Sequence, residues 1–283
     1  MSGVVDVRNG HIVFVKVGTG PETILCLHGN SSSASAFHPI AEHLSAGRTI
    51  YMIDLPGHGR SSGHEQFQQF FSFQGLRTVI VEFLAATKIR PTCVIGHSMG
   101  GHVAVQAISE IPSLRELVLI SSPPIAGVEG IKRFFRPTAP TASIFQRKMR
   151  PNEALELARA FSSERLDSER LAFLQNDILR TDGAFREELG KSLSGGEVVD
   201  ELELLRRHGH LDLLLIGGKS DQFINDDYYL WAAEKLQLTP DQVLLLPDVG
   251  HYPHVEAAEA TAARIIEFLG GSQQEHSALA RSV

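Results

Sequence analysis

The stretch Cys93-Val94-Ile95-Gly96-His97-Ser98-Met99-Gly100-Gly101 decides how this chain folds. An apolar run leads into a Gly-x-Ser-x-Gly motif, and the helical pattern of residues 103–108 leads out of it. Between a strand and a helix, this spacing puts the serine on a turn so tight that its backbone is strained, at a cost of about 1–3 kcal/mol. Flanking glycines relieve the crowding. The helix that follows points its N-terminus at the same place, so the Met99 N–H is expected to donate to a developing oxyanion. Ser98 is therefore the candidate nucleophile. Taken alone, the motif also fits a glycine-rich turn with no chemistry, and the surrounding segments must decide between the two.

Outward from the motif, β-rich runs alternate with helical patterns. Near-continuous apolar runs mark strands over 23–27, 49–54, 92–95, 117–121, 211–216 and 243–246, and helices are expected over 35–46, 74–87, 99–110, 226–236 and 255–269. This alternation predicts an α/β fold with a mostly parallel sheet covered on both faces. Two earlier strands, 4–7 and 11–17, flank an Asn9-Gly10 turn signal and are expected to form an antiparallel hairpin, giving eight strands. Residues 125–209 are too many for a single crossover. Amphipathic segments at 153–161 and 169–179, interrupted by Pro137, Pro140, Pro151 and Gly195-Gly196, predict a helical cap there. The cap would be inserted into a core made of 1–124 and 210–271, with the polar stretch 272–283 as a frayed tail.

Composition narrows the function classes. The chain has 283 residues, 43% of them hydrophobic and 21% charged, which is ordinary for a globular protein with a packed core. A net charge of -7 and the lack of any Lys/Arg run argue against nucleic acid as a partner. No stretch approaches the roughly 20 apolar residues of a membrane span, and residues 1–10 lack the pattern of a signal peptide, so stable membrane insertion is not expected and the reading is cytoplasmic. Cys26 and Cys93 each sit inside an apolar run and are expected to be reduced core thiols. His58 with His64, and His208 with His210, offer too few ligands for a metal site, and neither metal nor cofactor is expected.

In a fold of this type the acid and the base follow the nucleophile in that order, each beyond a late strand. Asp221 ends the run Leu211 to Ile216 plus Gly217-Gly218-Lys219-Ser220, where a carboxylate can accept the imidazole N–H. Asp226 and Asp227 are rivals, although they suit the acidic first turn of the next helix. His251, in Val249-Gly250-His251-Tyr252, is the candidate base, with His254 as competitor. The strand over 23–27 runs into His28-Gly29-Asn30-Ser31-Ser32-Ser33, where the Asn30 N–H is expected as a second oxyanion donor, although Asn30 also suits a capping or turn role.

With these pieces placed, the chain resembles the α/β-hydrolase superfamily from the hairpin to the last helix. Within it, the chain looks like the metal-independent N-acylhomoserine-lactone hydrolases, the quorum-quenching lactonases of this fold. The likeness rests on His28-Gly29-Asn30-Ser31-Ser32-Ser33, Asp54-Leu55-Pro56-Gly57-His58-Gly59, Ser122-Pro123-Pro124 and Thr181-Asp182-Gly183. The second of these is shared by relatives of other activities. The chain departs from such lactonases at His97, where some carry a bulky aromatic, at Asp221, where glutamate is used, and at Leu157, in place of a polar cap residue.

The resemblance implies a serine hydrolase that takes a small acyl ester or lactone as substrate. Asn30, Phe134 and Leu157 are expected to contact it, and Phe134, Phe135, Ile144, Phe145, Leu157 and Phe161 are candidates for an acyl tunnel as well as for cap core. A general carboxylesterase, a carbon–carbon bond hydrolase, cofactor-free oxygen chemistry and a small-molecule receptor are the competing readings on the same scaffold. The sequence leaves the oligomeric state open.

Overall fold

In the computed structural model of the chain, residues 1–8, 10–61, 65–136, 141–195 and 198–281 are described, with backbone alone at 65–66, 141–142 and 272–281. The antiparallel hairpin is β1 (Ser2–Val7) with β2 (Gly10–Val17). Its Asn9 lies outside the described residues. Then come β3 (Glu22–Leu27), α1 (His38–Leu44), β4 (Arg48–Ile53), α2 (Phe73–Thr87), β5 (Cys93–His97), α3 (Met99–Gln106) and β6 (Glu116–Ile120).

The 125–209 stretch carries the helices α4 (Gly127–Phe134), α5 (Thr141–Ile144), α6 (Pro151–Phe161), α7 (Ser168–Arg180), α8 (Gly183–Ser194) and α9 (Glu201–Arg207). Pro137, Pro140 and Gly196, expected as breaks, lie outside the described residues. Side-chain caps start three of these helices: Asp167 on α7, Asp182 on α8 and Asp200 on α9 each accept a backbone N–H. The chain closes with β7 (Asp212–Gly218), α10 (Asp226–Leu236), β8 (Val243–Leu246), α11 (Pro253–Glu256) and α12 (Ala258–Arg281).

The strands form one eight-stranded sheet in the order β1-β2-β4-β3-β5-β6-β7-β8. Pairing is antiparallel from β1 through β2 to β4 and parallel from there to β8. This is the mostly parallel sheet expected from the alternation of patterns, in the α/β-hydrolase arrangement that the resemblance implies. The chain leaves β3 toward β4 on one side and returns to β5 on the other, so the sheet order switches between β3 and β5. Ligands of open α/β sheets bind beyond the carboxyl ends of strands at such a point. The loops after β3 and β5 are those that carry Asn30 and Ser98.

One face of the sheet packs Phe37, Ile40 and Leu44 against Ile265 and Leu269 of α12. On the other face the core is continuous from Leu25 and Leu119 through α2 and α3 to Phe134, Leu157, Leu174 and Phe185 of the insertion. Cys26 and Cys93 are buried and free, and burial pushes both thiols up. The helical backbone of α12 runs on through the polar segment that was expected to fray. Gln, Glu and Ala residues there favour helix by propensity, a signal that apolar periodicity does not register. No described helix is long and apolar enough to cross a membrane.

The approach of α3 to the sheet requires glycine. A Cβ on Gly100 would lie 2.2 Å from the Leu27 carbonyl oxygen and 2.6 Å from that of His28, both backbone atoms. Gly100→Ala is expected to destabilise the protein by about 1–3 kcal/mol, seen as a lower denaturation midpoint in urea with an unchanged slope.

Candidate active site

Ser98 sits between β5 and α3 with φ 50° and ψ -122°, a left-handed region disfavoured for any residue with a Cβ. The turn is held by the Ser98 N–H, which donates to the Ile120 carbonyl at 2.8 Å, and by the Gly101 N–H, which donates back to Ser98 at 2.9 Å. A Cβ on Gly96 would lie 2.4 Å from Gly101 Cα, so the glycine is needed for the crossing of strand and helix. The result is a serine whose Oγ is 3.0 Å from His251 Nε2.

His251 Nδ1 lies 2.7 Å from Asp221 Oδ2. The other carboxylate oxygen accepts the N–H groups of Phe223 at 2.8 Å and Ile224 at 3.2 Å. An ionised carboxylate only accepts, so Nδ1 carries the imidazole proton and Nε2 turns its lone pair to Ser98. The arrangement can move a proton from the hydroxyl to the ring while the carboxylate stabilises the imidazolium. Asp226 and Asp227 instead open α10 behind the Asn225 cap, as their rival reading had it. His254 is buried on Phe37, with ring centroids 4.9 Å apart, and makes no described contact with Ser98.

The loops that present acid and base are held from several sides. Glu256, which the sequence reading did not single out, accepts from Gly250 N–H at 3.0 Å and Tyr252 N–H at 3.1 Å, the two neighbours of His251. The same carboxylate takes the Ser163 N–H at 2.8 Å. His251 itself donates its backbone N–H to the Phe161 carbonyl at the end of α6, at 2.6 Å, and its ring stacks on Phe161. On the acid side, Arg136 Nε donates to the Asp221 carbonyl at 2.6 Å, and Phe135 bridges Ile224. His97 Nε2–H reaches the His251 carbonyl at 2.9 Å from below.

Above Ser98 lies a cavity of about 300 Å³. Ser98, Met99, His251 and Asn30 line it, and Phe134, Phe135, Ile144, Phe145 and Phe161 contribute apolar wall. Met99 begins α3, so its N–H has no acceptor within the helix. The Asn30 side chain donates to the Ile144 carbonyl at 3.0 Å and accepts from Ser31 Oγ at 3.1 Å, which ties the loop after β3 to the insertion. Leu157 does not line the cavity. It is 2% exposed and, one turn before Phe161 on α6, is packed into the hydrophobic core. Its expected substrate contact is thus corrected: Leu157 shares a face of α6 with Phe161 but sits one turn earlier, where that face packs into the core, and only Phe161 reaches the cavity. His102, Phe73, Leu189, Leu193 and Phe223 also line the cavity and were not anticipated.

The remaining quoted motifs are scaffolding. His28 Nε2 accepts the Leu55 N–H at 2.9 Å and His58 Nε2 accepts the Ser31 N–H at 3.1 Å, while their Nδ1 atoms donate to Gly29 and Pro56 carbonyls. Both nitrogens of His58 are thereby used, and His64 lies outside the described residues. Asp54 accepts from Ala34 N–H at 2.8 Å and Arg60 N–H at 3.1 Å. Asp182 N–H donates to Gly57 at 2.8 Å, and a Cβ on Gly183 would overlap the Arg147 carbonyl, which accounts for Thr181-Asp182-Gly183. Burial holds His28, His58 and His97 below the usual histidine range and takes His254 down to about 3.

Residues 24–264 match the model of a family described as the alpha/beta hydrolase family. Among curated proteins, the chain is 29% identical over 275 residues to the pimeloyl-[acyl-carrier protein] methyl ester esterase of Stenotrophomonas maltophilia, covering 90% of this chain and 95% of that one. It is 28% identical over 276 residues to the dihydrolipoyllysine-residue acetyltransferase component of the acetoin cleaving system of Cupriavidus necator, with 94% of this chain and 68% of that one covered. A solved structure of the N-acyl homoserine lactonase AidH with N-butanoyl homoserine superposes with a TM-score of 0.86 at 23% identity, over 97% of this chain and 98% of that one. At that identity the superposition speaks for the fold alone.

Two outcomes are expected. Asp221→Asn, which removes the charge and favours the wrong tautomer, should lower kcat on an aryl ester by about 10⁴-fold with the fold intact by circular dichroism. Four buried neutral histidines bind protons only in the unfolded chain, so stability should fall as pH drops from about 6.5 toward 3. Asp177 and Glu116, raised by burial to about 6 and about 7, act in the opposite direction and offset part of the loss. His254→Phe should make the decline shallower by up to about 1.4 kcal/mol per pH unit, measured by urea unfolding at each pH.

Proposed function

The chain belongs to the alpha/beta hydrolase family, and from that premise we propose that it is a serine hydrolase of carboxylic esters whose preferred reaction opens N-acylhomoserine lactones. The observation that carries the reading is the relay of 2.7 Å and 3.0 Å from Asp221 through His251 to Ser98, with Ser98 and His251 in the lining of a largely apolar cavity. Residues 125–209 are the cap in this reading, and the core is 1–124 with 210–271.

Ser98 Oγ attacks the lactone carbonyl as His251 Nε2 takes its proton. The Asn30 and Met99 N–H groups receive the oxyanion, a role whose loss typically costs about 10²–10³ in rate for each donor. The ring C–O bond then breaks, and His251 returns the proton to the leaving alkoxide. Because that alcohol stays tethered to the acyl group, recyclisation competes until a water activated by His251 cleaves the acyl-enzyme. Phe134, with its neighbours on α4 and α5, receives the acyl chain. No step requires a metal or an organic cofactor.

Support for a lactone comes from the motifs shared with lactonases of this fold; the superposition on AidH adds only that the fold is compatible with that reaction. A second reading, a methyl ester esterase acting on a long acyl group, is favoured by the similarity to the Stenotrophomonas esterase over nearly the whole chain. It uses the same serine, base and acid.

The purified protein, treated with chelator, is expected to convert a medium-chain N-acylhomoserine lactone to a product heavier by one water, reversible by acid, with turnover lost in Ser98→Ala. Hydrolysis of acyl methyl esters without any of the lactone would favour the second reading. Retention of activity in Ser98→Ala would overturn both.

A further inference from the structure

The cavity holds a second histidine–carboxylate pair that the relay does not use. His102 lies one helical turn beyond Ser98 on α3, lines the cavity and is 7% exposed. Its Nδ1 is 2.8 Å from Glu201 Oε2 on α9, and Glu201 is itself 1% exposed. The carboxylate also accepts Gln106 Nε2–H at 3.1 Å and the Ile125 N–H at 3.0 Å. With the Gln106 and Ile125 N–H groups already donating to it, the Glu201 carboxyl group serves as acceptor, and His102 Nδ1–H donates to it. His102 Nε2 has no hydrogen-bond partner among the described residues. The ring is flanked by Phe134 and Phe73, with centroids 5.5 Å and 6.3 Å away.

A purely structural tie between α3 and α9 would need only the Nδ1 bond. Unlike the two nitrogens of His254, which are sealed in the core, His102 Nε2 is not enclosed and is open to a ligand in the cavity that His102 lines. Ser194, also in the wall, has its hydroxyl committed to the Gly190 carbonyl at 2.8 Å. Away from Asn30, Ser98 and His251, His102 thus presents an uncommitted side-chain polar atom in the described cavity lining.

We propose that the His102–Glu201 pair is a specificity site that accepts a hydroxyl group on the substrate's acyl chain, near the third carbon counted from the reacting carbonyl. The position follows from reach. One helical turn separates His102 from Ser98, about 5.4 Å. Two carbon–carbon bonds, the hydroxyl's own carbon–oxygen bond and one hydrogen bond of about 2.8 Å, taken along a bent chain, span a similar distance. A hydroxyl fits because it donates to the lone pair of neutral Nε2 and also accepts if the ring is protonated, whereas an unsubstituted chain leaves Nε2 unpaired. The inference rests on the proposal that an acyl group occupies this cavity, but not on which bond is cleaved.

The test separates the two. In a Ser98→Ala background, where turnover is removed, the affinities of a 3-hydroxyacyl lactone and its unsubstituted analogue of equal length are compared by isothermal titration calorimetry. The hydroxylated ligand should bind about tenfold more tightly, and the preference should disappear in His102→Phe and persist in part in His102→Gln. The melting temperature of each variant checks folding, and the His102→Gln result stands in if the phenylalanine variant does not fold. Equal affinities, an unchanged ratio in both variants, or no binding of either ligand would overturn the site. A preference that stands while lactones and esters alike are not turned over by the wild-type chain would overturn the hydrolase reading and leave this one.

Discussion

The backbone of Ser98 is the constraint on which the rest of the structure turns. A residue with a Cβ held at φ 50° lies in a sparsely populated conformation, and nothing local to the tripeptide keeps it there. It is kept by the sheet and by α3, which approach so closely that Gly96 and Gly100 have no room for a methyl group. That closeness sets where the β3 loop must pass, and a Cβ on Gly29 would already lie 3.1 Å from that of Ser98. The strain is therefore distributed over two loops and a helix.

A second layer fixes the loop opposite the serine. Ser31, itself at φ 59°, gives its N–H to His58, and His28 takes the N–H of Leu55, so the loop after β3 and the loop after β4 are cross-bonded through two neutral imidazoles. These rings act as acceptors only while unprotonated, and burial keeps them so. Asp54 completes the lock by accepting N–H groups from both segments. A run of residues that in sequence looks like a turn with spare histidines is in space the clamp that shapes the Asn30 loop.

The succession of strands along the chain and the place of Ser98, Asp221 and His251 just past them were legible in the sequence because each depends on local signals: apolar runs, a glycine-flanked serine, and polar residues just past late strands. The strand ranges match to within a few residues for the same reason. What was not legible depends on contacts distant in sequence. Glu256 supports the His251 loop through backbone N–H groups that no motif marks, and His102 meets Glu201 only because α9 returns to α3. Leu157 and Phe161 share one helix and one apolar character, and only the packing of α6 decides which of them faces the site. The helix 255–269 was expected as one piece. It starts instead as α11, ends at Glu256 and resumes as α12, with the Glu256 side chain turned back to the base loop.

The insertion is bonded to both loops that flank the serine: Phe161 holds the His251 N–H, and Arg136 and Phe135 hold the segment from Asp221 to Ile224. The segment over the site is thus not a module that can be traded freely for that of a relative. A chimera that replaced residues 125–209 by a foreign insertion would change the cavity above Ser98 and, in the same step, remove the supports of Asp221 and His251. A change of substrate preference is accordingly easiest through side chains such as Phe135 or Leu193 on an unchanged backbone frame, and hardest through wholesale replacement of the helices that carry them.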